Sequence, residues 1–398
     1  MSVVMKFGGS SVATLDLMKQ VASHVLARHQ KEPVVMVISA MGKTTNQLVE
    51  LAKQASNNPS KRELDMLLAT GEQTSVALMT MILNDLGVKA VSLTGYQAGI
   101  KTEGHHTKNK IVAIDIQKIK RYLDDNTVVV VAGFQGMNES GDITTLGRGG
   151  SDTSAVALSA ELGCDAEIYT NVDGVYTIDP RIYPNAKKLE QITYEEMKEL
   201  SFLGAKVMEY HSLDIGERHH VKIYVASSQM NQPGTWIQEE EMIQVKPVTG
   251  VSISEQVLPV NIKYLPNNNK VVADVFVRLA KDGVNVDMIS ESYSSKNLIN
   301  LSFTVSVEDE SVVTSYLTEL HQTYPEIKTS LEQDMVKVSL VGSGMRTQSG
   351  IAAQTFQILA ELDVAFRLVT TSEISISFTI PRKEKERVAN AIASHFEL

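Results

Sequence analysis

The sequence predicts a three-layer α/β/α sandwich around a mainly parallel sheet, followed by two smaller ferredoxin-like modules. Three observations carry this. The first half alternates short apolar runs with amphipathic helical patterns, as strands covered on both faces by crossover helices require. Glycine-bearing clusters fall at strand exits, where open α/β sheets bind ligands. The last third contains an internal repeat: Phe276, Leu279, Ala280 and Val284 correspond at one offset to Phe356, Leu359, Ala360 and Val364, and Ser302-Phe303-Thr304 corresponds to Ser377-Phe378-Thr379.

Taken in order, Val3-Val4-Met5 starts a buried strand that runs into Lys6-Phe7-Gly8-Gly9-Ser10-Ser11. Leu17, Val21 and Val25 recur at helical spacing with Thr14 as N-cap. Val34–Ile38 is a second strand, leaving through Ser39-Ala40-Met41-Gly42. Leu64, Leu67, Leu68 and then Val76, Met79, Ile82, Leu83 predict a helical region broken near Gly71. Val128–Val131 and Ala166–Thr170 are further strands, and between them a helix is expected to begin at Ser151 or Asp152, either of which caps well. The texture changes at Asn231-Gln232-Pro233-Gly234, before an acidic stretch. A first domain is therefore expected over residues 1–240 and a paired module over 247–398. Each later unit reads strand, helix, strand, strand, helix. The second ends at Phe396-Glu397-Leu398, too early for a closing strand. The orphan strand 248–254 is expected to supply it, which interleaves modules at about 257–333 and 334–398.

The bulk numbers exclude several classes. The 398 residues are 43% hydrophobic and 21% charged, which is globular rather than disordered. A net charge of −10 argues against a broad basic face for nucleic acid. The single cysteine, Cys164, excludes an intramolecular disulfide and a cysteine zinc cluster; it is expected to be buried at a helix-to-strand corner. No apolar run approaches the ~20 residues of a membrane span, and the first residues lack a signal-peptide pattern, so a cytoplasmic protein without membrane partners is expected. The pairs His105-His106 and His219-His220 point apart on any regular element, so solvated histidines and no protein-built metal site are expected.

Three clusters could carry chemistry. Lys6 with Gly8, Gly9 and Ser10 fits phosphate recognition, a close backbone approach beside one cation; the bland alternative is a strand-to-helix turn with a solvated lysine. Arg148-Gly149-Gly150-Ser151-Asp152 opens a helix whose free N–H groups and an arginine suit an anionic small molecule, or it is simply a capped helix. Thr170-Asn171-Val172-Asp173-Gly174-Val175-Tyr176, continuing to Asp179-Pro180-Arg181, could cover a nucleotide or could be two consecutive turns. Glu72, in Thr70-Gly71-Glu72-Gln73, is either a receiver for a substrate ammonium or a surface glutamate.

Together these segments resemble the aspartate kinases of the amino acid kinase family, over nearly the whole chain. The matching stretches are Lys6–Ser11, Thr70-Gly71-Glu72, Gly133-Phe134-Gln135-Gly136, Arg148–Asp152, Gly174–Arg181 and Phe202-Leu203-Gly204-Ala205-Lys206-Val207, with a tail similar to paired ACT modules. The resemblance implies ATP-dependent phosphorylation of the L-aspartate side-chain carboxylate, the committed step toward lysine, threonine and methionine. It implies Lys6 and Asp152 as catalytic residues. Lys6, Phe7, Gly8, Gly9, Ser10, Thr170, Asn171, Asp173, Tyr176, Arg181 and Lys206 would meet ATP. Thr45, Glu72, Phe134, Arg148, Gly149 and Ser151 would meet aspartate. Asn285, Asp287, Met288, Ser343 and Met345 would meet a lysine or threonine effector. Mg2+ would arrive with ATP, held mostly by phosphate oxygens, and the ACT modules would join the chain into a homodimer or tetramer. Asn171 departs from the aspartate usual there, and Leu265-Pro266-Asn267-Asn268-Asn269-Lys270 and Ala365-Phe366 depart from the usual effector loops. The rival readings are a kinase of the same fold acting on glutamate, acetylglutamate or a nucleotide, and a non-enzymatic amino-acid sensor. The Lys6–Ser11 wording and the ACT pair argue against the first; intact Lys6, Arg148 and Asp152 argue against the second.

Overall fold

The computed structural model describes residues 2–205, 207–229, 232–239, 246–294 and 297–398. The chain divides into two compact units: Met1–Val175, Lys188–Ser201 and Lys206–Ile243 form the first, and Tyr176–Lys187, Phe202–Ala205 and Gln244–Leu398 the second.

In the first unit, chain order is β1 (Val3–Phe7), α1 (Leu15–His29), β2 (Val34–Ile38), α2 (Thr44–Ala55) and α3 (Lys61–Asp85). Then come β3 (Ala90–Leu93), β4 (Ile100–His105), β5 (Lys108–Ile114), α4 (Gln117–Asp124) and β6 (Val128–Ala132). The unit continues with β7 (Gln135–Met137), β8 (Ile143–Thr145), α5 (Gly150–Leu162), β9 (Ala166–Thr170), β10 (Gln191–Thr193), α6 (Tyr194–Phe202), α7 (Tyr210–Arg218), β11 (Ile223–Ser227) and β12 (Thr235–Gln238). Eight strands make one sheet in the order β10-β12-β11-β9-β1-β2-β6-β3. Every neighbouring pair is parallel except β11–β12. β1, β2 and β6 are buried at every residue, which is why their sequences are continuous apolar runs rather than alternating ones.

The two sheet faces are told apart by strand alternation. Val3, Met5 and Phe7 pack with Met18, Val21 and Val25 of α1 and with Val76, Met79 and Leu83 of α3. Alternation turns Val4 and Lys6 to the opposite face, which α5 covers against β1 and β2. Helices on both faces complete the three-layer sandwich read from the sequence. α5 is buried on nearly every side, since α7 packs over it. A second, small sheet runs β5-β4-β7-β8 beside α3.

Two local expectations are corrected. α3 runs unbroken through Gly71 for 25 residues. Gly71 does not end the helix; it lets α3 approach Ala40, whose Cβ would lie 2.9 Å from a side chain there. α5 is not capped by Ser151 or Asp152. Its N-cap is Gly149 in the left-handed region, with φ +66°, because Ser151 is already packed against Gly133. Thr14 does cap α1, accepting from the Leu17 amide at 3.3 Å. α3 is long and apolar enough to cross a membrane by length and composition, yet its buried face carries Asp65, Glu72 and Ser75. Cys164 follows the left-handed Gly163 at the α5–β9 corner and is half-buried, and burial pushes its thiol up.

The second unit holds β13 (Gly250–Ser254), β14 (Leu258–Pro266), α8 (Asn269–Lys281), β15 (Asp287–Tyr293), β16 (Leu298–Val305), α9 (Glu310–Thr323) and β17 (Lys328–Leu331). β18 (Met335–Val341), α10 (Ile351–Glu361), β19 (Val369–Thr371), β20 (Ser375–Pro381) and α11 (Lys385–His395) complete it. Its two sheets run β15-β16-β14-β17 and β13-β18-β20-β19. β13 therefore precedes the first module in sequence and pairs antiparallel with β18 of the second, Gly250 opposite Val341. The repeat residues occupy matching places: Leu279 and Phe303 lie in one module's core, Leu359 and Phe378 in the other's. Asn268, in the loop that departs from the aspartate kinase pattern, caps α8 by accepting from the Lys270 amide at 2.9 Å.

Candidate active site

Lys6 is the penultimate residue of a central strand, so its stem is buried and its ammonium emerges at the strand's carboxyl end. There Nζ lies 2.6 Å from Asp152 Oδ1, with the two side chains only 9% and 14% exposed. Asp152 sits in the first turn of α5, where unsatisfied N–H groups and the helix dipole favour a carboxylate. β1 then leaves through glycine. The Gly8 amide donates to the Tyr169 carbonyl at 3.1 Å. A Cβ on Gly9 would meet the Ala40 carbonyl at 2.6 Å, so only glycine lets this turn close on the exit of β2. Ser10 is exposed in the short 3-10 turn Gly9–Val12 that follows. Phe7 stacks on Tyr169, with centroids 4.9 Å apart, and fixes β1 against β9.

The loop before α5 is equally constrained. A Cβ on Gly133 would lie 2.8 Å from both Cβ and Oγ of Ser151. Phe134 takes a left-handed φ of +68°, and its amide donates to Ser154 Oγ at 3.1 Å. Arg148 is exposed, Gly149 is packed against Glu209, and Thr45 is half-buried in the first turn of α2.

Glu72 is not a surface residue. It is 3% exposed, with Oε1 accepting from the Ala40 amide at 3.1 Å and Oε2 buried without a hydrogen-bond partner. Burial pushes its carboxyl up to about 7, against the pull of backbone amides at Glu72 itself and Ala40. Gly9 and Glu72 thus share Ala40 as a common neighbour, joining the Lys6 turn to α3.

The structure therefore gathers Lys6, Gly8, Gly9, Glu72, Phe134, Gly149, Ser151 and Asp152 around the carboxyl ends of β1, β2 and β6. Thr170 ends β9, the neighbour of β1, and its hydroxyl donates to Oδ1 of the following Asn171 at 3.2 Å. Asp173 pairs with Lys188 at 3.2 Å. Tyr176 and Arg181 belong to the second unit, where the Arg181 guanidinium grips Asp179 at 2.6 to 3.1 Å. Lys206 lies outside the described residues. In the second unit, Asp287 accepts from the Met288 amide and pairs with Lys337 of the other module at 2.7 Å. Met288 adopts φ +51°, Asn285 is exposed, and Ser343 and Met345 form one 3-10 turn after β18.

The histidine expectation fails at one position. His106 is half-buried rather than freely solvated; its Nδ1 lies 2.7 Å from Asp65, a fully buried carboxylate on α3. Asp65 was missed in the sequence, although it stands seven residues before Glu72, on the same helix face. Among the described residues no three His, Cys, Asp or Glu side chains gather as a metal cage.

Residues 1–227 match the amino acid kinase family and residues 338–396 an ACT domain. An aspartokinase of Geobacillus stearothermophilus is 45% identical over 96% of this chain and 93% of its own length. Aspartokinase 2 of Bacillus subtilis is 42% identical over 100% of this chain and 98% of its own. The structure of E. coli aspartokinase III in complex with aspartate and ADP superposes over the whole of both chains with a TM-score of 0.83 at 24% identity. The chain belongs to the amino acid kinase family and, within it, to the aspartokinases.

Proposed function

We infer that the chain transfers the γ-phosphoryl group of ATP to the side-chain carboxylate of L-aspartate, giving 4-phospho-L-aspartate for lysine, threonine and methionine synthesis. The observation that carries this reading is the Lys6–Asp152 pair, two side chains 146 positions apart whose charged atoms are 2.6 Å from each other at a strand exit. A carboxylate is already nucleophilic at neutral pH, so the chemistry needs positioning and charge neutralisation rather than a strong base. Lys6 Nζ neutralises the migrating group, and Asp152 orients that ammonium. Gly8 and Gly9 admit the phosphates close to the backbone. Arg148 and Ser151 hold aspartate carboxylates, the latter with the free amides of the α5 N-terminus. Glu72 receives the substrate ammonium on its unpartnered Oε2, and Thr45, Phe134 and Gly149 shape that pocket. Phe7, Ser10, Thr170, Asn171 and Asp173, all on the first unit, line the nucleotide.

The donor set suits magnesium carried on ATP: one carboxylate, Asp152, stands at the Lys6 end, and a hard cation that keeps its phosphate ligands needs no more from the protein. Bound there, the ion neutralises phosphate charge. The paired modules support feedback control by lysine or threonine and assembly into a homodimer or tetramer. Asn285, Asp287, Met288, Ser343 and Met345 would meet the effector, and an effector ammonium reaching Asp287 has to share it with Lys337.

Aspartate-dependent ADP release tests the reading. Turnover is expected with aspartate and not with glutamate, with inhibition by lysine, threonine or the pair. Lys6→Ala should lose at least about a hundredfold in kcat while keeping its fold. Turnover on glutamate alone, or an undiminished Lys6→Ala enzyme, refutes it.

A further inference from the structure

We propose that Asp65 is a positioning residue for the Arg148 loop, acting from behind the pocket without touching substrate; this rests on the aspartate-binding role given to that loop above. Asp65 has no exposed surface. Its Oδ1 accepts from Thr145 Oγ1 and from the Thr107 amide at 3.0 Å, and its Oδ2 lies 3.1 Å from the same amide and 2.7 Å from His106 Nδ1. Thr145 is the last residue of β8, fully buried, and the Arg148 loop starts immediately after it. Thr107 is the turn residue of the β4–β5 hairpin, held at φ +71°. Its carbonyl faces the loop from the other side, 3.3 Å from where a Cβ on Gly147 would stand. One carboxylate thus fixes both the strand that launches the loop and the turn on which the loop rests.

A packing role does not call for this chemistry. Burying a carboxylate is costly, and an apolar side chain fills such a site at no electrostatic penalty. What the carboxylate adds is direction, because its acceptors align a hydroxyl and an amide at once. Asp65 lies two helical turns before Glu72 on one face of α3. The same helix therefore sets the residue proposed for the substrate ammonium and, through Thr145 and Thr107, the loop proposed for its carboxylates.

Asp65→Asn and Thr145→Val should each raise the KM for aspartate roughly tenfold or more, because small misplacements of a binding group are costly. The KM for ATP should stay within about twofold and Thr145→Ser should restore wild-type behaviour, since it keeps the hydroxyl. If Asp65→Asn does not fold, the Thr145 pair decides alone. Lower Tm with an unchanged KM for aspartate in the folded variants overturns the proposal. If the wild-type chain does not release ADP with aspartate, the functional reading fails separately. The clamp is then judged by hydrogen exchange at amides 146–150, which should quicken in Thr145→Val; unaltered exchange there overturns it.

Discussion

Glu72 carries two opposing demands. Folding buries it, which favours the neutral acid and lifts its titration to about 7 from the ordinary 4.5. Receiving an ammonium requires the carboxylate. Between those two pH values the folded chain keeps a proton that the unfolded chain has released, so Glu72 makes stability fall as pH rises from 4.5 to about 7, with no further change above. Substrate binding runs the other way. The kcat/KM for aspartate should climb with pH through an apparent pKa near 7 and then level, well clear of the substrate's own side-chain carboxyl at ~3.9. Glu72→Gln should remove the limb and lower the plateau. A wild-type profile flat across that range would separate Glu72 from ammonium recognition. The sequence offered Glu72 as either a receiver or a surface residue, because one carboxylate in an apolar helix has no periodicity of its own. Glu72 lies against the exit of β2, which Gly71 lets α3 approach and where the Ala40 amide meets it, a tertiary contact no local pattern contains. Lys6 and Asp152 could be singled out for the opposite reason: each lies two residues from a glycine at a strand exit or helix start, a local pattern that suits an anion, and the structure pairs them.

α5 separates a strained glycine from a merely permissive one. Gly149 and Gly163 flank the helix, and both have φ +66°. A Cβ on Gly163 meets nothing within 4 Å, whereas one on Gly149 would lie 2.3 Å from Glu209 Cβ and 2.4 Å from its Cγ. Gly163→Ala should therefore cost only left-handed strain, on the order of 1 kcal/mol, and leave kinetics alone. Gly149→Ala adds a collision with the N-cap of α7, so the loop or α7 must move. Its Tm should fall further, and its KM for aspartate should rise because Arg148 is the preceding residue. Equal Tm losses with equal kinetics would mean the loop absorbs the methyl group freely. The same helix marks a limit of sequence reading. Ser151 and Asp152 are better caps than glycine by intrinsic preference, yet Ser151 is committed to Gly133, a contact from the far end of β6 that no local rule contains. α1, with Thr14 and no competing tertiary demand, follows the rule.

Across the whole chain the sequence carried the layers and the repeat, because strand runs and the Phe–Leu–Ala–Val correspondence are periodic. It did not reveal that Tyr176–Lys187, of which the part up to Arg181 was read as a nucleotide loop or two turns, belongs to the second compact unit. The apolar content of that segment is too sparse to form an element. Yet Ile178 is 1% exposed, and with Ile182, Tyr183 and Ala186 it packs into the core formed by Val338, Leu359, Phe378 and Ile392. The Val251 amide donates to the Thr177 carbonyl at 2.7 Å, and Lys187 Nζ donates to the Glu397 carbonyl. The core of the second unit is thus completed by chain from the kinase sequence, and Tyr176 and Arg181 ride on that segment. Ile178→Ala should cost about 2–5 kcal/mol, as a large-to-small change in a closed core does. The loss belongs to the second unit alone, so hydrogen exchange should accelerate at β18 and β20 and stay unchanged at β2 and β6. If β2 and β6 respond while β18 and β20 do not, the segment is a part of the kinase core. If the prediction holds, Ile178→Ala should also weaken the proposed feedback inhibition more than it weakens uninhibited turnover, since it loosens the segment from the modules that carry the proposed effector residues.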